Sequence, residues 1–170
     1  MTHSPPLRPG LTYSPEFNIV VFAILLNLPW EFLQVPFFSG MPAAEHWQGV
    51  KACTRATLGD AIIMLIAYWG VAIRCGRYWL ARPGALRLAL FVSIGLVITI
   101  VIEKLALAGL WMDGWAYSER MVLVPGLDVG LTPVLQWIVL PPLALWFCMR
   151  QVGSRIRVAN DTAGSAGARQ

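Results

Sequence analysis

Four stretches of this chain are long and apolar enough to cross a bilayer, and no other feature constrains its fold as strongly. They cover residues 17–38 (FNIVVFAILLNLPWEFLQVPFF), 56–73 (ATLGDAIIMLIAYWGVAI), 88–110 (LALFVSIGLVITIVIEKLALAGL) and 131–149 (LTPVLQWIVLPPLALWFCM). A helix of about 20 mostly apolar residues spans the hydrocarbon core. Lipid cannot satisfy an open backbone, so such segments are helical. The expected fold is an all-α integral membrane protein, a four-transmembrane-helix bundle forming one membrane domain over residues 1–157. The remainder, 158–170 (ANDTAGSAGARQ after Val158), has a disordered composition. Apolar residues make up 57% and charged residues 13%, against roughly 25% charged in soluble domains.

The first run is read as a span rather than a cleaved leader. Its lead, MTHSPPLRPGLTYSPE, is weakly basic, and the run itself is long and contains Glu31. Within that lead, Ser14-Pro15-Glu16 has the pattern of a helix start.

The arginines give an orientation. Arg74, Arg77, Arg82 and Arg87 lie in the connection 74–87, and Arg150, Arg155 and Arg157 follow the last run. The other connections, 39–55 and 111–130, hold only Lys51, Arg55 and Arg120 among several acids. The positive-inside rule then predicts N-in and C-in, with 39–55 (whose PAAEHWQGVKACTRA also reads as a short interfacial helix) and 111–130 as outer loops and 74–87 as an inner basic loop. The expected location is a bacterial cytoplasmic membrane with both termini cytoplasmic. Aromatics fall near both proposed interfaces: Trp47, Trp111 and Trp115 outside, Tyr78 and Trp79 inside. No basic patch with interleaved aromatics lies on a soluble segment, so nucleic acid is not an expected partner. The expected partners are the bilayer itself and either a lipid-like substrate or a larger membrane protein. Cys53, Cys75 and Cys148 show no metal-ligand spacing and read as small apolar filler.

Polar residues inside the spans carry the functional signal, because burying them in lipid is costly. At about 1.5 Å of rise per residue, Glu31, Asp60, Glu103 and Gln136 each lie roughly 5–7 Å to the outer side of their span's midpoint. One comes from each span. Asn27, Glu31 and Gln34 are spaced to share one helix face, as are Thr99 with Glu103 and Thr132 with Gln136. Turned inward, these stripes make an acidic polar chamber in the outer half of the bundle. The inner half is apolar, which counts against a polar pore.

Two carboxyls in a low-dielectric site suit general acid/base chemistry. Glu31 and Glu103 are the candidate acid and base, and Asp60 tunes their charge. Gln136, Gln34, Asn27, Lys104, Trp115 and Tyr117 are candidate substrate contacts. Duller readings stand beside these. Thr57 and Asp60 have the T-x-x-D spacing of a capping box near the start of span two. Lys104 pairs with Glu103 or Glu31, or snorkels outward. Gln136 and Asn27 serve as interhelical glue. His46 with Glu31, Asp60 and Glu103 is a weak candidate site for a divalent cation. The loop 111–130 is either a lid over the chamber or an interfacial loop held by its aromatics.

Three functions follow. The first is an acid/base enzyme acting on a lipid or isoprenoid-like substrate. The alternative is a non-enzymatic accessory, assembly, lipid-binding or cation-binding subunit. Transport comes third, since the apolar inner half offers no path across.

Overall fold

The computed structural model describes residues 14–81, 83–112 and 114–167, with side chains through Gln151. Residues 1–13, Arg82, Asp113 and the Arg155 and Arg157 side chains lie outside the described residues.

The described chain is mostly helical, and its four long helices are each apolar enough to cross a membrane. Helix α1 (Pro15–Gln34) starts as its sequence indicates: Ser14 is extended at the N-cap and accepts from the Phe17 N–H, and Pro15 follows. Pro29 sits inside it, and two 3₁₀ turns (Val35–Phe37 and Met41–Ala43) lead to α2 (His46–Cys75). A 3₁₀ turn at Trp79–Ala81 joins α2 to α3 (Ala85–Leu107). A two-stranded antiparallel hairpin, β1 (Leu123–Val124) and β2 (Val129–Gly130), runs directly into α4 (Leu131–Gly167). α1 packs on α2 and α4, and α3 packs on the same two, so the helices form a ring. The end carrying the hairpin is called the hairpin end. The opposite end carries Arg74, Arg77, Arg87 and Arg150 and is called the arginine end.

Three expectations need correction. The loop 39–55 is not a loop throughout: α2 begins at His46 and runs 30 residues, well before the predicted start at 56. Nothing between His46 and Thr57 breaks a helix, so the polar first turns simply extend the apolar ones. The capping-box reading of Thr57 and Asp60 fails for the same reason. Thr57 is buried in mid-helix, and its hydroxyl donates back to the Cys53 carbonyl at 2.8 Å. Trp79 is not an interfacial anchor but is buried at the arginine end, stacked on Tyr68 with ring centroids 5.7 Å apart. α4 runs on to Gly167.

Burial away from water does little to bring helices together inside lipid, because lipid tails are as apolar as leucine; close packing does the work. Small residues permit it here. Ala23, Ala67 and Ala144 are wholly buried. Gly95 of α3 lies flat under the Trp137 ring of α4, where an added Cβ would fall 1.9 Å from Cζ3. Toward the arginine end Glu16 receives Arg77 through Nε at 2.7 Å and through a second nitrogen at 3.1 Å. Tyr68 donates to the Arg77 carbonyl, so the start of α1 and the turn after α2 are tied together.

Candidate functional site

At the hairpin end the polar stripes turn inward, as their spacing predicts. Asn27, Glu31, Gln34, Thr99, Glu103 and Gln136 are buried, and Asp60 is half-buried. The Asn27 amide nitrogen donates to the Ala23 carbonyl at 2.8 Å, which fixes its amide plane and leaves Oδ1 as an acceptor.

Gln136 reaches this face from α4. Its Nε2 lies 2.8 Å from Asn27 Oδ1, 3.0 Å from Glu31 Oε1 and 2.7 Å from Asp60 Oδ2. One side chain of α4 thus touches both α1 and α2. The amide nitrogen carries two hydrogens, so three acceptors meet two donors. Gln34 Nε2 donates to the other Glu31 oxygen at 2.8 Å. Gln34 Oε1 and Thr99 Oγ1 are buried with no hydrogen-bond partner. Cys53 is buried with its sulfur 3.7 Å from the Glu31 carbonyl oxygen.

Glu103 is served separately, by the loop between α3 and α4. Trp115 Nε1 donates to Glu103 Oε2 at 3.1 Å, and the Tyr117 hydroxyl donates to the same oxygen at 2.5 Å. That hydroxyl also accepts from the Gly130 N–H at 2.9 Å. Burial, together with the Glu103 carboxylate, holds the Tyr117 phenol above its ordinary range, so it remains a donor. Backbone pairing sets the loop in place. Phe38 and Tyr117 form an antiparallel bridge, Ser39 N–H donates to the Ala116 carbonyl at 2.8 Å, and Ser118 N–H donates to the Phe37 carbonyl at 2.9 Å. The segment that was either lid or interfacial loop is therefore bonded to the end of α1 and to Glu103.

The three carboxyls accept from neutral groups, two amides, an indole and a phenol, and the Glu31 and Asp60 carboxyls also hydrogen-bond to each other. Lys104 is exposed, one residue on from buried Glu103. His46 is exposed at the first residue of α2, roughly 21 Å of helix rise from Asp60, and does not join the acids. Among the described residues no three His, Cys, Asp or Glu side chains are grouped to hold a metal ion.

An open apolar groove of about 220 Å³ lies between α1 and α2, lined by Val20, Ile24, Leu58, Ala61, Ile62 and Leu65. At 100° per residue, its α2 residues share the face turned away from Asp60, so it does not lead to the acids. The structure thus brings together Asn27, Glu31, Gln34, Asp60 and Gln136, with Glu103, Trp115 and Tyr117 as an adjoining group. Sequence reasoning missed the Gly130 N–H, because a backbone donor leaves no mark in residue type. Comparison with protein-family models, with curated proteins and with solved structures finds no match.

Proposed function

We propose that this chain is a membrane-embedded acid/base enzyme acting on a lipid or isoprenoid-like substrate. One observation supports it above the others: two unlike carboxyl settings adjoin at the hairpin end. Glu31 and Asp60 crowd a single amide nitrogen, which leaves room for a proton between them. Glu103 has two neutral donors on one oxygen, an arrangement suited to a carboxylate. Unlike settings are how paired acids come to divide the work of donor and acceptor. In this reading Glu31 delivers a proton, Glu103 takes one, Asp60 sets the charge of the pair, and Gln136 holds the group being acted on. In this reading the arginine end faces the cytoplasm, as Arg74, Arg77, Arg87 and Arg150 favour, and the membrane is a bacterial cytoplasmic one.

The test is a brief incubation in heavy water of isolated membranes that hold the chain and lipids made in ordinary water, followed by mass spectrometry of the lipid and isoprenoid pools. A product carrying solvent deuterium is expected with the wild type and absent with Glu31→Gln and Glu103→Gln variants that melt normally. If both variants fold and keep full turnover, the reading is wrong. A second reading, an accessory or binding subunit, is favoured by the closure of the network, in which Gln136 bonds directly to α1 and α2. Under it, gentle purification yields a stoichiometric partner, and Glu31→Gln loses that partner with no chemical defect.

A further inference from the structure

Three oxygens surround the Gln136 nitrogen at 2.7–3.0 Å, and two of them belong to carboxyls. That is the surrounding an ammonium ion would take, yet the atom at its centre is uncharged and has one hydrogen too few. Turning the Gln136 amide over about its last bond would exchange Nε2 for Oε1 and add a fourth oxygen to the set. A further oxygen is close by. Gln34 Oε1 is buried and unpartnered, and it belongs to an amide already resting on Glu31. Gln34 itself is only 7% exposed, so water does not serve this atom freely. An orphaned acceptor in an amide that rests on the Glu31 carboxyl is a costly arrangement unless something positive visits it.

We propose that Asn27, Glu31, Asp60, Gln34 and Gln136 form a binding site for a small monovalent cation of the sodium class, entered beside half-exposed Asp60. The oxygen count favours this class over a divalent ion. Glu31 offers one oxygen to the Gln136 position, since its second accepts from Gln34, and Asp60 offers Oδ2. Calcium wants six to eight oxygens and magnesium a strict octahedron, which five amide and carboxyl oxygens do not supply. The site shares Glu31, Asp60 and Gln136 with the acid/base reading, so a bound cation competes there with the proton of that reading, but an ion binds with no substrate present.

The test uses the full chain in nanodiscs, with unfolding followed by its eight tryptophans. Lithium, sodium, potassium and ammonium chlorides are compared with choline chloride at equal ionic strength. At about 100 times its Kd, the cation that binds raises the melting temperature by roughly 5–10 °C. The salt needed rises about tenfold for each pH unit of acidification where a proton competes for the pair. Asp60→Asn abolishes the response. Gln136→Lys places an ammonium group among the three oxygens, and it melts at or above the wild type with no response to salt. Calorimetric titration of the wild type, expected to give one ion per chain, decides the matter if the variants do not fold. Melting that is equal in every monovalent salt at every pH, with no heat of binding, overturns the proposal. So does a response to calcium or magnesium alone, or a folded Gln136→Lys protein that still responds to sodium. Stabilisation by pH alone assigns the position to a proton and likewise overturns it. None of these outcomes depends on turnover, so the enzyme reading stands or falls separately.

Discussion

Tyr117 is the residue through which the loop, α3 and the start of α4 meet. Its hydroxyl donates to Glu103 and accepts from Gly130, so two elements depend on one oxygen. Tyr117→Phe leaves both of those groups short of a partner while keeping the ring that meets Phe38 edge-on at 5.6 Å. The expected loss is about 1–3 kcal/mol, read as a lower denaturation midpoint in detergent. Trp115→Phe removes one donor from an oxygen that keeps another, and should cost less than Tyr117→Phe. Equal costs would mean that the Gly130 bond contributes nothing. At this scale the sequence was legible wherever a helix repeat carried the signal. Asn27, Glu31 and Gln34 follow the helical repeat, and all three are buried on one side of α1. The partners of Glu103 were not legible as partners. Trp115 and Tyr117 stand in a loop, where no periodicity says which way a side chain turns. Lys104 shows the opposite limit: adjacency to Glu103 in sequence suggests a pair, but one step along a helix is a turn of about 100°, onto another face.

Among the elements, α3 and α4 depend on the absence of a side chain at Gly95. A methyl group there would meet the Trp137 ring far inside van der Waals contact, and the ring is itself buried among neighbours. Gly95→Ala should therefore destabilise by about 1–3 kcal/mol or more, the usual cost of overpacking. Gly59→Ala is the control: α2 has nothing within 4 Å of the added atom, and replacing a mid-helix glycine there should be neutral or stabilising by up to about 1 kcal/mol. A double-mutant cycle of Gly95→Ala with Trp137→Leu checks the cause, since a smaller partner should recover part of the loss. If Gly95→Ala is as harmless as Gly59→Ala, the close contact does not hold the two helices. Element type was readable from the apolar runs, but element length was not. Hydropathy marks where lipid can lie, whereas a helix continues until something stops it. α2 passes through Lys51 and Arg55 toward His46 because no proline or turn interrupts those residues.

For the molecule as a whole, the decisive asymmetry is chemical. One end holds the acids Glu31, Asp60 and Glu103, the other holds Arg74, Arg77, Arg87 and Arg150, and between them lies an apolar core that includes Tyr68, Val71, Phe91, Leu140 and Leu145. The orientation proposed above puts the arginine end on the cytoplasmic side, following the rule that basic connections are retained there. The cysteines provide a test that needs no substitution. Cys75 is exposed at the arginine end, while Cys53 and Cys148 are buried. A membrane-impermeant maleimide should therefore label the chain in inverted vesicles and leave it unlabelled in intact spheroplasts, with Cys75→Ser removing the signal. Cys53, packed against the Glu31 carbonyl, should react only when the hairpin end loosens, and so Tyr117→Phe should raise its labelling from the opposite face. Labelling of Cys75 in intact spheroplasts would reverse the orientation and place the acids on the cytoplasmic side. Their geometry would be unchanged, but the compartment whose protons, cations and lipids they meet would be the other one.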